Sequence, residues 1–150
     1  LDERLSPAAA TRTRRTHWAS RDEAWRHFHS KPAFARWDDR MLSDYIEFGI
    51  PQVSHDGSRS LAFDRRIEYQ IYRTLPHTLG ARLARGAPVP VGFIGGTRSK
   101  EVRQVGLSAT RRATGGHIEW IEGSHLFPME KPIETARAVQ RMLRELSERG

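Results

Sequence analysis

Only two short segments of this chain have the composition of buried β-strands, and this scarcity constrains its fold more than any other feature. Residues 89–94 are β-branched and aromatic and end at Gly95-Gly96, and residues 117–122 follow a second glycine pair. Residues 100–111 lie between the two segments and are long enough for a short helix. This order predicts an α/β fold in which two parallel strands are joined by a right-handed crossover.

Two parallel strands do not form a stable sheet alone. A two-stranded sheet is marginal in water, and parallel strands normally have both faces and both edges covered. Either the helices of the first half cover the pair in an unusual way, or the neighbouring strands belong to polypeptide outside this sequence; we favour the second. Leu1 is not an initiator methionine, and no signal peptide follows it, so we expect the chain to begin partway along a longer one.

Three helices are predicted in the first half of the chain. Ser20 is followed three residues later by Glu23, which is typical of an N-cap. Gly49 is expected to end the second helix, and residues 60–63 to be extended. The expected N-cap of the second helix is Asp38 or Asp39, and the expected N-cap of the third helix is Asp64. The side chains expected to face inward are Ala24, Trp25 and Phe28, then Met41, Leu42, Tyr45, Ile46 and Phe48, then Ile67, Ile71, Tyr72 and Leu75.

A last helix is predicted to begin at Pro132 and to end at Gly150, since proline favours the first helical position and glycine the end. Apolar residues recur at helical spacing between them, which predicts an amphipathic helix with one buried side. The residues of that side are Ile133, Ala136, Val139, Leu143 and Leu146.

Composition excludes several classes of protein. The 150 residues, 37% hydrophobic and 29% charged, amount to one domain, and no apolar run is long enough to span a membrane. The chain has no cysteine, which excludes disulfides and thiolate chemistry and fits a cytoplasmic location. We predict no cofactor and no metal, because G-x-G-x-x-G is absent and His27 and His29 point to different sides of a helix.

The net charge of +7 raises the question of an anionic partner. Lysine and arginine together number 25 against 18 acidic residues, and nearly all of the excess is arginine. The arginines are spread along the chain, which is typical of a solvated surface, so nucleic acid is not the favoured partner. An arginine-rich, non-catalytic module that binds an anionic partner is nevertheless the alternative to the function developed below.

One histidine stands where a parallel sheet binds ligands. His125 follows the second predicted strand on a tight Gly123-Ser124 turn and precedes a helix. Ligands of open α/β folds bind at the carboxyl ends of the strands. An imidazole there can exchange a proton near neutral pH. The alternative is a histidine that only hydrogen-bonds within its turn.

The segments around His125 carry a resemblance to a known family. Residues 91–99, then 117–123, then Ser124-His125-Leu126 with the prolines and glutamate that follow, resemble the C-terminal end of an α/β-hydrolase. In that family the penultimate strand, its helix, the last strand, the catalytic-histidine loop and the final helix follow in this order. Upstream, residues 18–24, 34–38, 45–49 and 61–69 resemble the helical cap and the return to the core of one branch of the family.

The resemblance implies a division of the chain into three parts. Residues 1–17 would be a lead-in segment, residues 18–87 a helical cap-like region with the return to the core, and residues 88–150 the C-terminal βαβα part of the hydrolase core. Aromatic residues of the cap would pack in its core or line a pocket, and we favour packing in the core. These residues are Trp18, Trp25, Phe28 and Trp37.

The resemblance also implies roles for single residues. His125 would be the general base that takes a proton from a nucleophile and returns it to the leaving group. Glu130 and Pro132 would set the start of the final helix, where a carboxylate suits the positive end of the helix dipole. Trp120 on the last strand is expected to belong to the core.

Two departures from the family separate this chain from a complete enzyme. No serine lies in a Gly-x-Ser-x-Gly turn, so the nucleophile and the oxyanion hole are expected before Leu1. The acid of the triad normally follows the penultimate strand, where this chain has Ser99. Glu101 could substitute for it; Glu101 could instead lie on a solvated helix, and the acid could come from another strand.

These observations lead to one functional hypothesis. The chain is interpreted as the C-terminal portion of an α/β-hydrolase whose complete form hydrolyses a small, ester-like substrate by a nucleophile–histidine–acid mechanism. This chain would supply the histidine, and its partner would be the missing N-terminal half of the fold. A relative of the family that has lost catalysis is a further possibility.

We predict that these 150 residues alone do not hydrolyse esters, because the attacking nucleophile is absent. The measurement is the rate of p-nitrophenyl ester hydrolysis by the purified chain as a function of ester concentration. Saturable turnover that disappears in His125→Ala would contradict this prediction.

Overall fold

A computed structural model of the chain describes residues 11, 13–74, 78 and 87–148. It divides into two compact units, Leu1–Pro76 and His77–Gly150, which are described separately. Most of the predicted lead-in segment lies outside the described residues, as do Leu75 and the predicted helix end at Gly150. The three-part division of the chain stays a prediction.

The described residues of the first unit form three helices and one small sheet. Strands β1 (His17–Trp18) and β2 (Arg59–Ser60) pair antiparallel, with Trp18 opposite Arg59. The sequence did not predict this sheet, because two-residue strands are too short to show an alternating pattern. The helices of this unit are α1 (Arg21–His29), α2 (Asp39–Gly49) and α3 (Arg65–Arg73).

The predicted caps of these helices are confirmed. The Ser20 hydroxyl accepts a hydrogen bond from the Glu23 N–H at 3.1 Å, and Asp38 and Asp64 accept from the first turns of α2 and α3. The Glu23 carboxylate accepts in return from the N–H of Ala19, one residue before the cap. The predicted cap at Gly49 is wrong, since Gly49 is the last residue of α2 and the buried Ile50 follows it.

The core of the first unit is aromatic and aliphatic. Phe28 lies at its centre, edge-on to Phe34 and Tyr45 at centroid distances of 4.9 and 5.3 Å. Phe48 was expected to face inward but is 77% exposed, because it lies two residues beyond the buried Ile46 and so on the opposite side of α2. The buried residues are Trp18, Ala24, Phe28, Leu42, Ile46, Ile50 and Leu61.

The inward face predicted for α3 is also wrong among the described residues. Ile67, Ile71 and Tyr72 are exposed, and α3 has no buried residue. The helix is held to its unit by polar contacts: Glu68 forms an ion pair with Arg14 at 2.9 Å, and the Arg65 guanidinium donates to the Arg14 carbonyl. The apolar spacing therefore predicted the helix α3 correctly, but the apolar side that it predicted to be buried is exposed.

The second unit has the predicted strand–helix–strand–helix order. Strands β3 (Phe93–Gly96) and β4 (Ile118–Ile121) pair parallel, with Phe93 opposite Ile118 and Gly96 opposite Ile121. The first strand begins at Phe93 rather than at residue 89, and it includes the glycine pair that was expected to end it. The crossover is two helices, α4 (Lys100–Val105) and α5 (Ser108–Thr114), separated at Gly106, whose φ is 78°.

The glycines of β3 permit close approaches that a side chain would block. A Cβ atom at Gly96 would lie 2.0 Å from the carbonyl oxygen of Ser124, and one at Gly95 would lie 2.8 Å from the Trp120 ring. Trp120 was expected in the core, but it is 42% exposed and stands edge-on to Phe93. The approach at Gly96 brings the end of β3 against the loop that follows β4.

Two more helices of the second unit follow β4 in its described part, α6 (Phe127–Glu130) and α7 (Pro132–Ser147). Pro132 opens α7 as predicted, but the predicted inner face is wrong: Ile133, Val139 and Leu143 are exposed. The buried residues of α7 are Ala138 and Met142. Ala138 belongs to a small core with Ile121 and Phe127, against which Ile94 packs.

The parallel sheet has two strands in the part of the chain that the structure describes. Each strand therefore has one edge that no described strand pairs. Among the described residues, no helix is both long and apolar enough to cross a membrane.

We predict that Phe28→Ala lowers the free energy of unfolding by about 3–5 kcal/mol, because it removes a buried ring from the aromatic core. Phe48→Ala, on the exposed side of α2, is the matched control, and we expect a change of about 0.5 kcal/mol or less. The measurement is urea unfolding followed by tryptophan fluorescence. Equal losses in the two variants would contradict the burial of Phe28 in this core and the exposure of Phe48.

Candidate functional site

The candidate site lies where β3 and β4 end side by side. The Thr97 N–H donates to the Ile121 carbonyl at 2.9 Å, and the Arg98 N–H donates to the Gly123 carbonyl at 2.8 Å. These two bonds continue the parallel pairing past the strands and join the turn after β3 to the turn after β4. His125 stands on the second of these turns, at the carboxyl edge where ligands of open α/β sheets bind.

The structure brings both predicted site residues together. The Nδ1 atom of His125 lies 3.8 Å from Oε2 of Glu101, which belongs to the first turn of α4. Ser99 lies between them: its Oγ is 3.2 Å from Nδ1 of His125 and 3.2 Å from Oε2 of Glu101. The sequence identified His125 and Glu101 as candidates and considered Ser99 only as a poor replacement for an aspartate.

Ser99 is placed there by its role as the N-cap of α4. Its hydroxyl accepts a hydrogen bond from the Val102 N–H at 3.2 Å, and the residue is 2% exposed. Its own N–H donates to the Gly96 carbonyl at 3.0 Å, which forms a tight turn directly after β3. A serine that begins a helix just beyond a strand is the signal by which the sequence could have located this contact.

The ionisable groups of the site are open to solvent. The side chains of His125 and Glu101 are 57% and 56% exposed, and no described residue forms a hydrogen bond with Nε2 of His125. The pKa of Glu101 is lowered, chiefly by a hydrogen bond from its own backbone N–H, and further by the Ser99 hydroxyl and the nearby charge of His125. Glu101 therefore stays ionised to a lower pH than an ordinary glutamate.

Glu130 fixes the turn that carries His125. Its carboxylate accepts hydrogen bonds from the N–H of Ser124 at 3.0 Å and from the hydroxyl of Ser124. The Ser124 hydroxyl in turn accepts from the Leu126 N–H at 3.0 Å. The backbone N–H groups on both sides of His125 are therefore hydrogen-bonded within the turn. The N-cap of α7 is Lys131, whose side chain forms no capping hydrogen bond, and the expected role of Glu130 at the start of α7 stays a prediction.

Gly123 makes room for this arrangement. A Cβ atom there would lie 2.7 Å from Cβ of Phe127 and 3.0 Å from Oε2 of Glu130. Phe127 belongs to the small core of the second unit, so it has little freedom to move away. The Gly-Ser pair before His125 is therefore needed for the packing of the turn.

An open cleft of about 280 Å³ lies beside the buried Ser99. Trp120, Val102 and Leu107 line its apolar side, and Arg103 and Arg111 contribute cationic side chains. The Arg103 guanidinium donates to the Arg98 carbonyl at 3.1 Å. The exposed side chain of Trp120 thus forms part of a surface cleft that adjoins the candidate site.

The described residues contain no group of three or more histidine, cysteine, aspartate or glutamate side chains that could hold a metal ion. His27 packs against Trp18 and Phe28, while His29 stacks on Trp25. Burial lowers the pKa of His27, which favours its neutral form. Each of these histidines therefore has a packing role.

A comparison with solved structures finds a similar fold. The peroxisomal α/β-hydrolase Lpx1 from Saccharomyces cerevisiae matches with a TM-score of 0.74 and 18% sequence identity. The match covers 100% of this chain and 42% of the Lpx1 chain, so this chain spans less than half the length of the hydrolase that it resembles. No family model matches the chain, and no curated protein matches it. The likeness shows an α/β-hydrolase type of fold.

We predict that Glu130→Ala speeds hydrogen exchange of the Ser124 amide by about fivefold to a hundredfold, because the loss of a charged acceptor costs about 1–3 kcal/mol. The measurement is exchange by NMR. Glu134→Ala is the matched control: Glu134 contacts Lys131 at 3.6 Å and does not contact the turn. Unchanged exchange at Ser124 in Glu130→Ala would contradict the assigned role.

Proposed function

We propose that this chain forms the cap and the C-terminal part of an α/β-hydrolase, and that His125 transfers the proton during hydrolysis of a small, ester-like substrate. The observation that carries the proposal is the position of His125 at the paired ends of β3 and β4. Its Nδ1 atom faces Ser99 and Glu101, and its Nε2 atom forms no hydrogen bond with a described residue. This is the arrangement that a general base requires: one nitrogen oriented by its neighbours and the other open to a nucleophile.

The chemistry follows from these two nitrogens. Nε2 accepts the proton of a nucleophile as it attacks the carbonyl carbon of the ester, and it later returns the proton to the departing alcohol. The imidazolium formed between these steps is stabilised by a negative charge near Nδ1. Glu101 is the described carboxylate closest to that atom, at 3.8 Å, and we assign it as the acid of the triad.

Three observations support the view that other polypeptide completes the fold. Each strand of the β3–β4 pair has an edge that no described strand covers. The α7 helix exposes an apolar stripe, formed by Ile133, Val139 and Leu143, beside a sheet that is marginal alone. The similar hydrolase is more than twice as long as the matched segment, which equals 42% of it. We infer that the Gly-x-Ser-x-Gly nucleophile and the oxyanion hole lie on that other polypeptide.

The cap assignment rests on the first unit. Its helices enclose an aromatic core in which Phe28, Phe34, Trp37 and Tyr45 contact one another at centroid distances between 4.6 and 5.6 Å. A rigid aromatic core of this kind suits a structural cap that shapes access to an active site. Phe28 and Trp18 are buried, so we assign them to packing rather than to substrate contact.

The arginine-rich binding module is the weaker alternative. Several arginines are neutralised by carboxylates within their own unit, including Arg59 by Glu47 and Arg98 by Glu122. Such pairs reduce the charge that is available to an anionic partner. Salt-dependent association with nucleic acid that survives His125→Ala would favour this alternative.

The test begins with the source DNA upstream of the Leu1 codon. We expect an open frame that encodes several strand patterns and a Gly-x-Ser-x-Gly turn. The polypeptide encoded by that frame together with this chain should hydrolyse p-nitrophenyl esters. His125→Ala should lower kcat by about a thousandfold or more, because the general base is removed.

His55→Ala is the matched control, since His55 is an exposed histidine in the loop before β2 of the first unit, whereas His125 belongs to the second unit. It should leave kcat unchanged. A stop codon directly upstream with no nucleophile elbow, or full activity of His125→Ala, would overturn the proposal.

A further inference from the structure

We propose that Ser99 is a positioning residue that connects Glu101 to His125 and holds the proton of the neutral imidazole on Nδ1. Its importance for catalysis rests on the function proposed above, but the location of the proton does not. The proposal explains, from residues of the second unit alone, why neutral His125 carries its hydrogen on Nδ1 and leaves Nε2 free to act as a base. A hydroxyl thereby stands between the histidine and the carboxylate.

The argument starts from the number of hydrogens that surround Ser99. A serine hydroxyl donates one hydrogen bond and accepts two. The backbone N–H of Val102, at 3.2 Å, can only donate, so it occupies one acceptor position of Oγ. An ionised Glu101 can only accept, so the contact of 3.2 Å between its Oε2 and Oγ requires the hydrogen of Ser99.

The third contact of Oγ is then determined. The remaining neighbour is Nδ1 of His125 at 3.2 Å, and Ser99 has no second hydrogen to give. Oγ must accept there, so Nδ1 must carry a hydrogen. In a neutral imidazole the other nitrogen, Nε2, is then without a hydrogen and is free to accept a proton.

The opposite orientation of the hydroxyl is less favourable. If Ser99 donated to Nδ1, then Oγ and Oε2 of Glu101 would face each other at 3.2 Å as two acceptors. A carboxylate is the stronger acceptor, because hydrogen bonds to ionised groups are about twice as strong as neutral ones. The chief cause of the lowered pKa of Glu101 is the hydrogen bond from its own backbone N–H, which favours the ionised carboxylate independently of Ser99.

The distances show why a bridge is needed. Oε2 of Glu101 lies 3.8 Å from Nδ1, beyond the range of a direct hydrogen bond. Ser99 fills that gap and is itself 2% exposed, so water has little access to the hydroxyl. Its position is fixed by the cap of α4 and by the bond from its own N–H to the Gly96 carbonyl.

The test is ¹⁵N NMR of the two imidazole nitrogens of His125 in the full 150-residue chain, at a pH where the ring is neutral. We expect the protonated-type signal on Nδ1 and the unprotonated-type signal on Nε2. Ser99→Ala should abolish the excess of the Nδ1–H tautomer, because it removes the acceptor. An Nε2–H majority in the unaltered chain, or unchanged signals in Ser99→Ala, would overturn the proposal.

Glu101→Ala is the second variant, and its exposed position should leave the fold intact. Without the carboxylate, the Ser99 hydrogen is free to donate to Nδ1, so the balance should shift toward Nε2–H. Glu122→Ala is the matched control: Glu122 pairs with Arg98 and Lys131 at the same strand ends, and its removal should leave the tautomer unchanged. An equal shift in both variants would show a general charge effect and refute the bridge.

Ser99→Ala provides one further readout. It should raise the pKa of Glu101 toward its ordinary value, because a hydrogen bond to the ionised form is lost. The carboxyl ¹³C shift of Glu101 measures this change. An unchanged pKa would contradict the contact between Ser99 and Glu101. These readouts require no hydrolysis, so the bridge can be confirmed even if the proposed activity fails.

Discussion

The parallel pairing of β3 with β4 is the interaction on which the candidate site depends. The register places Gly96 opposite Ile121, so the two turns that follow begin side by side. The hydrogen bond from Arg98 to the Gly123 carbonyl then extends the pairing into the turns. Ser99 and His125 are 26 positions apart in the chain, and this pairing brings their side chains to 3.2 Å.

The same strand pair explains why the second unit resembles part of a larger fold. A parallel sheet of two strands buries little apolar area and leaves unpaired backbone groups at its edges. The small core around Ile121 and Phe127 agrees with this, as does the exposed apolar stripe of α7. Under the proposed function, additional strands would cover these surfaces, and the nucleophile would lie on that other polypeptide.

Local signals in the sequence predicted local structure well. Ser20, Asp38 and Asp64 cap helices because a side-chain oxygen and the next turn of backbone suffice for a cap. The direction in which a helix faces depends on its neighbours, which spacing does not reveal, so the apolar stripe of α7 was misplaced. Phe48 was misplaced for another reason: it lies two residues beyond the buried Ile46, a spacing that puts the two side chains on opposite sides of α2. The roles of Ser99 and Glu130 were missed for a related reason, since each depends on partners that only the folded turns supply.

The most direct test of this account is a NOESY spectrum of the isotopically labelled chain. It should show a cross-peak between the β protons of Ser99 and the Cε1 proton of His125, because Oγ of Ser99 lies 3.2 Å from Nδ1. Contacts between Gly95 and Trp120 report the pairing of the strands in the same spectrum. If those strand contacts are present and the Ser99–His125 cross-peak is missing, the pairing of β3 with β4 does not bring Ser99 and His125 together, and the account is wrong.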